Sequence, residues 1–553
     1  MGQSAPKPKA ITFPLEPTPR SISGNLEWDE RNAARHSKHA DGMGNLTEGG
    51  NDGYLGVASG ASFLRLTELG QLPSDIQADD AALFSTGGRN SPAPMPQQIP
   101  PPSRLDTFID DYFSLYHPSY SIIHEATFRA EYMEVIPRPP GTLWHVLLYA
   151  ISALGACTSG SYPPGTDVAL FEAAKSRLSF DILETGSMML VQVLALMANY
   201  VQKANKPNSG YNYLGLAKRV AVGIGLHKEY SDWAVTPWQI EMRRRVWWCL
   251  VIFDVGASIT FSRPIELPTG IDIGLPQNFR DTDLTRATSR FPAEANETTV
   301  YTNLRCQALF DLAIKDIYSA LISSPYPSAD TLLSLDDSHI SRWAADLPPH
   351  FRAAAPQPAK FATAHAILHL RHRNFQIIMY RPFVIRSAIQ RSGSGSGAGD
   401  EPADSSSPIA HAIRRCLAAA ETTIATVSAL WLDDDDGGGG GGGGARTPMA
   451  CWYGIYFLFQ AVSIPLVSLR DEPGAAGAAA WRAQVRRAAR ALAEMAGVNA
   501  TAGRCLRVVG RMAGPVLREE EGDEVEEEMR WGELGALLGP MEAALGEFGG
   551  GVL

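Results

Sequence analysis

The sequence predicts an all-α protein, and two observations carry this prediction. From Leu105 onward, apolar residues recur at spacings of three and four positions, which places them on one face of successive amphipathic helices. No run of alternating β-branched residues is long enough to form a sheet. We therefore expect a large multi-helix domain that carries a disordered N-terminal arm and low-complexity insertions.

The helices follow from apolar periodicity and from residues that begin helices. Asp167 and Ser187 are expected to cap the helices after them, because their side chains accept hydrogen bonds from free backbone N–H groups. Pro237 suits the first turn of a helix, where a missing N–H costs nothing. Residues 262–300 are predicted to form a long loop. The predicted helices are 105–116, 125–135, 143–155, 168–183, 188–202, 211–226, 237–258, 304–321, 334–347, 361–385, 408–432, 448–469, 481–495 and 531–545.

Shifts in composition predict the organisation of the chain. The N-terminal part is rich in Pro, Gly, Ser and Asn, which is typical of a flexible arm, and a patch of small and apolar residues inside it is expected to dock on the main body. Two Gly-rich or acidic stretches are expected to be disordered surface insertions. The predicted parts are an arm at 1–104 with its docking patch at 53–66, a main domain at 105–390, C-terminal helices at 391–510 with insertions 392–408 and 433–446, and an acidic tail at 511–553.

Charge and cysteine spacing exclude two classes of protein. The formal net charge of −11 argues against a mainly basic protein that coats nucleic acid. The cysteines are scattered and contain no CxxC pair, whereas zinc clusters and fingers need closely spaced thiolates. They are predicted to be reduced thiols, mostly buried. The six are Cys157, Cys249, Cys306, Cys416, Cys451 and Cys505.

One segment is apolar enough to resemble a membrane span. Pro448 to Leu469 is uncharged and meets the length criterion of about 20 residues. Gln460, Ser463 and Pro465 interrupt it, and an Ala- and Arg-rich helix follows. We therefore interpret it as a buried core helix.

Patterns that could carry chemistry are weak. His365, His369 and His372 share a helix face and could grip a metal, but no carboxylate or cysteine stands near them in the sequence, so a packed helix face is favoured. Asp433 to Asp436 precede eight glycines, and a flexible loop cannot hold a diphosphate through metal ions. We find no nucleophile triad and no phosphate-binding loop. No catalytic, cofactor-binding or metal residue is predicted.

The most specific pattern lies in the stretch 215–276. A helix rich in small residues ends at Gly225-Leu226-His227 and is predicted to offer a packing seam formed by Gly215, Ala217, Ala221 and Gly225. The next helix carries consecutive arginines and two tryptophans. An Arg-Pro pair and a Leu-Pro pair follow it.

Charges in this second helix suggest specific contacts. Glu241 and Arg245 are spaced for an i,i+4 ion pair, while Arg244 shares a face with Trp248. Asp254 is expected to form a buried ion pair with Arg263. The arginines are interpreted as scaffold packed on tryptophan faces, with an arginine cluster that binds phosphate or nucleic acid as the alternative.

This pattern resembles the regulatory domain, or middle homology region, of the fungal zinc-cluster transcription factors, and the 53–66 patch resembles a linker found in relatives of the xylanolytic activators. The similarity covers about residues 105–385. This chain has Ser262 where the family has a glycine. The matching positions are Gly225, Leu226, His227, Arg244, Arg245, Trp247, Trp248, Asp254, Arg263, Pro264, Arg381 and Pro382.

The resemblance implies a nuclear regulator of transcription by RNA polymerase II, not an enzyme. Its implied partners are DNA, the transcription machinery, a dimer partner and a small-molecule effector, but no membrane. The family reads DNA through an N-terminal six-cysteine zinc cluster, and this sequence contains none, so zinc is expected only if such a cluster precedes it. Either the cluster was lost or the gene begins further upstream. The alternatives are a cluster-less co-regulator that acts by dimerisation and an all-α enzyme with an unrecognised site.

The run from Glu519 to Glu528 is strongly acidic and stands next to Trp531, Leu534 and Leu537. This composition is typical of an acidic-hydrophobic activation segment. A solvated helix end has the same composition, and both interpretations stay open.

Overall fold

The computed structural model describes residues 58–60, 105–184, 186–229, 234–323, 325–393, 406–432 and 446–517. Within these ranges every regular element is a helix and no strand occurs, so the all-α prediction is confirmed. The arm outside 58–60, residues 394–405 and 433–445 of the two predicted insertions, and the predicted helix at 531–545 lie outside the described residues.

The α-helices follow the predicted order, with boundaries that differ by a few residues. Numbered along the chain they are α1 (Asp106–Asp111), α2 (Glu125–Tyr132), α3 (Leu143–Ser159), α4 (Thr166–Lys175), α5 (Met188–Lys203), α6 (Pro207–Gly223), α7 (Pro237–Phe261), α8 (Thr302–Leu321), α9 (Ala329–Leu335), α10 (Ser341–Ala345), α11 (Ala359–Gly393), α12 (Pro408–Leu432), α13 (Pro448–Asp471), α14 (Ala478–Ala496) and α15 (Ala500–Leu517).

Two predicted helices change their winding part-way. The helix expected at 105–116 consists of α1 followed by a π-helix, Tyr112–Tyr116. The one expected at 334–347 contains the π-helix Asp336–Ile340 between α9 and α10. Apolar spacing cannot distinguish these forms because the same buried residues serve both. Short 3-10 helices occur at Phe180–Glu184 and Pro349–Phe351.

Helix α13 lies at the centre of the molecule. It packs against α3, α11, α12, α14 and α15, and 94% of its most apolar 18-residue window is buried inside the protein. It is long and apolar enough to cross a membrane by composition alone. Its burial by five other helices agrees with the prediction of a core helix.

Helix starts separate the two predicted caps. Ser187 accepts a hydrogen bond from the backbone N–H of Leu190 at 3.1 Å and caps α5 as expected. The Asp167 cap is wrong, because α4 begins at Thr166 and its N-cap is Gly165. The Asp167 carboxylate instead accepts a hydrogen bond from the Tyr200 hydroxyl at 2.8 Å, which ties α4 to α5. At α7, Thr236 forms a capping box ahead of Pro237.

The predicted small-residue seam of α6 is only half correct. Ala217 and Ala221 are buried, but Gly215 is exposed and has nothing within 4 Å of the place where a Cβ would stand. Positions two residues apart lie about 200° apart around a helix, so Gly215 and Ala217 cannot share a face. Gly225 lies beyond the helix end, where its φ of +66° provides the left-handed turn.

The C-terminal helices extend the same core. A single cluster of buried apolar residues runs from Ala58 to Ala513. Helix α14 was expected to be an exposed basic helix, yet it buries one face through Val485, Ala488 and Leu492. Helix α15 continues to Leu517, into the segment predicted as the acidic tail, and residues 518–553 lie outside the described part.

Gly155 offers a test of the packing of α3 against α1. A Cβ there would lie 1.9 Å from the backbone oxygen of Phe108. Since backbone must move to make room, Gly155→Ala should lower the free energy of unfolding by about 1–3 kcal/mol, as overpacking does. Urea unfolding followed by circular dichroism measures this.

The matched control is Gly215→Ala on the exposed face of α6. It should raise the free energy of unfolding by up to about 1 kcal/mol, because alanine favours a helix over glycine. Equal effects of the two substitutions would contradict the close approach of α1 and α3.

Candidate functional site

The arginine-rich part of α7 forms a buried charged cluster. Arg245 Nε donates to Glu241 Oε1 at 3.0 Å, and neither side chain is exposed to solvent. The Arg245 guanidinium also lies 3.3 Å from the centre of the Tyr301 ring and 3.5 Å from Asp281. Burial raises the pKa of Glu241, while the charge of Arg245 opposes that rise. The predicted i,i+4 pair is therefore present and is fully enclosed.

This cluster holds the long loop after α7 in place. Glu241 Oε1 accepts a hydrogen bond from the backbone N–H of Gln277 at 3.0 Å. The Tyr301 hydroxyl, at the far end of the loop, donates to Asp281. Both ends of the segment 277–301 are thus attached to one ion pair on α7.

Arg244 attaches a second point of the loop. Its guanidinium makes two hydrogen bonds to Glu229, at 2.8 and 2.6 Å, and Glu229 also accepts from the backbone N–H of Gly274. Trp248 Nε1 donates to the Gly274 carbonyl at 2.8 Å. The indole of Trp247, by contrast, is buried in the core. Arg244 and Trp248 therefore meet at the same glycine, as their shared face predicts.

The Gly225-Leu226-His227 turn receives the loop by its backbone. The His227 carbonyl accepts hydrogen bonds from the backbone N–H groups of Asp272 and Ile273, at 3.0 and 3.2 Å. Leu226 is fully buried, and Arg243 donates to the Gly225 carbonyl. Burial lowers the pKa of the His227 ring. The turn is a structural junction between α6, α7 and the loop.

The expected Asp254–Arg263 pair is wrong. Asp254 is buried and pairs with Lys218 of α6, with 2.9 Å between Oδ2 and Nζ. Arg263 points elsewhere: it donates to Asn208 Oδ1 at 2.8 Å and stacks on the rings of Tyr211 and Phe261. Asp254 lies two turns before the end of α7, so its side chain meets the neighbouring helix and not the following loop. Pro264, next to Arg263, is exposed.

The two Arg-Pro signposts meet at the residues 58–60. The Ser262 hydroxyl accepts a hydrogen bond from the backbone N–H of Ala58 at 2.9 Å. Arg381, buried in α11, donates to the carbonyls of Ala58 and Ser59 and to Gln460 of α13. Pro382 lies inside α11 beside it. The described part of the predicted docking patch is buried at this junction.

Ser262 explains the family glycine that this chain lacks. It ends α7 in the left-handed conformation, with φ of +55° and ψ of +45°. This conformation suits glycine, since a Cβ makes it costly by about 1–2 kcal/mol. The serine hydroxyl gains the contact with Ala58 in exchange.

The histidines of α11 are engaged separately. His365 and His369 each place Nε2 near a backbone carbonyl, at 2.9 Å from Arg352 and 3.2 Å from Phe351. His372 packs against the ring of Trp343. Among the residues that the structure describes, no group of three or more His, Cys, Asp or Glu side chains could hold a metal ion. The six cysteines are free thiols, five of them buried.

A polar cavity between α5, α7, α8, α11 and α13 was missed by the sequence analysis. Its volume is about 60 Å³, and it is lined by Asp311, Arg371 and Asn374 among aromatic side chains. Gln307 Nε2 donates to Asp311 Oδ1 at 2.9 Å. Burial raises the pKa of Asp311 to about 7, although the charge of Arg371 opposes the rise. Gln307 and Asp311 stand one helical turn apart on the otherwise apolar face of α8, and this was the signal available in the sequence.

The buried pair of α7 predicts a large effect of a single substitution. Arg245→Met leaves Glu241 enclosed without its counter-charge and should lower the free energy of unfolding by about 3–5 kcal/mol. The control is Arg342→Met, since Arg342 pairs with Asp346 at the surface and exposed pairs contribute little. Urea unfolding of both variants measures the difference, and a loss no greater than that of the control would refute the structural role of the pair.

Asp311 predicts a pH dependence of stability. Its folded pKa of about 7 lies above the ordinary value of 3.8, so between these values the folded state holds a proton that the unfolded state releases. Wild-type stability from this group therefore falls as pH rises from about 4 to about 7. Asp311→Asn abolishes the titration, so its free energy of unfolding relative to wild type should increase by up to about 4 kcal/mol over that range. Unfolding at pH 5 and pH 8 tests it, with Asp346→Asn as control; a constant difference would contradict it.

Comparison with known proteins places this architecture. Residues 109–347 match the fungal specific transcription factor domain. The chain is 26% identical over 368 residues to the lactose regulatory protein LAC9 of Kluyveromyces lactis, which covers 66% of this chain and 38% of that protein. It is 28% identical over 304 residues to the acetamidase regulatory protein of Aspergillus oryzae, which covers 52% of this chain and 36% of that protein.

A third relative is the transcription factor FBD3 of Gibberella moniliformis, which is 24% identical over 404 residues, covering 68% of this chain and 52% of that protein. The chain thus spans between about a third and a half of the length of these curated relatives. No solved structure matches it. The matched region contains the α7 cluster, the loop attached to it and the Gly-Leu-His turn. The chain belongs to the family of fungal transcription regulators that carry the fungal specific transcription factor domain.

Proposed function

We propose that this chain regulates transcription by RNA polymerase II in the nucleus, through contacts with the transcription machinery and not through catalysis. The observation that carries the proposal is the match of residues 109–347 to the fungal specific transcription factor domain. The motif residues of that region form one buried framework around Glu241 and Arg245. Relatives named as regulatory proteins support the same function.

The arginines of α7 do not provide a surface for DNA. Arg245 is fully enclosed and Arg244 is largely covered by its contacts with Glu229. Phosphate binding needs guanidinium groups that can reach the backbone of the nucleic acid. We therefore propose that contact with DNA comes from a zinc cluster, either in a segment joined to this chain or in a partner with which it dimerises.

Tethering tests the regulatory function directly. The whole chain, fused to an unrelated DNA-binding domain upstream of a minimal promoter in a yeast reporter strain, should change reporter expression by about threefold or more in either direction. The Arg245→Met fusion should lose this effect because its framework is destabilised. The Arg342→Met fusion is the matched control and should keep it. Unchanged expression with a stably produced wild-type fusion would refute the proposal.

The acidic segment makes a separable contribution. Residues 510–553 fused alone to the same DNA-binding domain should activate the reporter if the acidic-hydrophobic interpretation holds. Activation by the whole chain but not by this fragment would assign the effect to the helical domain.

A further inference from the structure

The cavity between α5, α7, α8, α11 and α13 is small and enclosed by several helices. Its volume of about 60 Å³ would hold about four water molecules. A nucleotide, a coenzyme or a sugar chain is too large for it. The cavity therefore selects molecules of a few non-hydrogen atoms.

Three polar atoms around this cavity have no hydrogen-bond partner. They are Asp311 Oδ2, Asn374 Oδ1 and Trp452 Nε1, and the three side chains are 2%, 4% and 7% exposed. Buried polar atoms are almost always satisfied, because each unsatisfied one costs about 1–3 kcal/mol. Two of these three atoms are acceptors, so they require an N–H or O–H donor inside the cavity.

Charge narrows the occupant further. Arg371 lines the same cavity and donates one hydrogen bond, to the Tyr120 hydroxyl at 2.9 Å. No ion pair links its guanidinium to the Asp311 carboxylate, whose other oxygen is held by Gln307. A positive and a negative group thus face one small space without neutralising each other directly. A single ion would match one of them and be repelled by the other.

We propose that this cavity binds a small α-amino acid as a zwitterion. Its ammonium group donates to Asp311 Oδ2 and Asn374 Oδ1, and its carboxylate accepts from the Arg371 guanidinium, which suits carboxylates. The rings of Phe253, Phe310 and Phe375 line the cavity and would contact a short apolar side chain. The ligand's role as an effector, but not its binding, rests on the proposed function in transcription.

The position of the cavity gives the ligand a route to regulation. Asp311 on α8 belongs to the region matched by the family, whereas Asn374 and Arg371 on α11 and Trp452 on α13 lie beyond it. A bound zwitterion would bridge these two groups of helices. A ligand shifts an equilibrium between conformations by its difference in affinity for them, and closure of α8 on α11 and α13 would supply that difference.

Binding is tested first on the purified 553-residue chain. Glycine, L-alanine, L-serine and L-proline are added separately at pH 8, and Tm is measured with titration calorimetry alongside. At least one should raise Tm by about 2 °C or more at saturation. Its N-acetyl and carboxamide derivatives, which each lack one charge, should bind about tenfold more weakly or not at all. No binding by any of the four, or equal binding of a derivative, overturns the proposal.

Variants then locate the site. Asp311→Asn and Arg371→Met should each weaken binding about tenfold or more, while Arg342→Met at the surface leaves Kd unchanged. Asp311→Asn keeps the hydrogen bond to Gln307 within reach, so it should stay folded even if Arg371→Met does not. Unchanged Kd in Asp311→Asn overturns the assignment. A chain that binds the amino acid but leaves the tethered reporter unchanged would refute the regulatory function and not the site.

Discussion

The ion pair between Glu241 and Arg245 is the interaction on which the rest of the domain depends. Charges this deeply buried are costly to desolvate, and the cost is offset only if every partner is in place. The partners are supplied by Gln277, Asp281 and Tyr301, all of which belong to the loop after α7 or its end. The loop therefore has a fixed path although it contains no regular structure. In turn, that path carries Gly274 to Arg244 and Trp248.

Same-helix spacing explains why parts of this framework were predictable. Glu241 and Arg245 are four residues apart on one helix, so their contact follows from the helical repeat alone. The partner of Asp254 is Lys218, 36 positions earlier on another helix, and only tertiary packing brings the two together. The erroneous choice of Arg263 came from nearness in the sequence. The seam of α6 failed for the opposite reason, because its small residues were grouped without regard to their angle around the axis.

The polar cavity shows a second limit of sequence reasoning. Its lining comes from five helices that span residues 188–471, and no local pattern connects them. Periodicity identifies the apolar faces correctly but treats a polar residue on such a face as an exception. Gln307 and Asp311 are two such exceptions one turn apart, and together they indicated a polar interior. The partners on α11 and α13 could be recognised only once those helices had been packed against α8.

Ser262 links the end of α7 thermodynamically to the segment before the domain. A residue that would be cheaper as glycine is held in a left-handed conformation, and its hydroxyl is paired only while Ala58 lies beside it. Docking of 58–60 and closure of the α7 terminus therefore share a coupling free energy, which acts equally in both directions. Arg381 extends this coupling to α11, because it binds the same two carbonyls. Whatever pulls on the N-terminal segment is in this way sensed at the helix that carries the central ion pair.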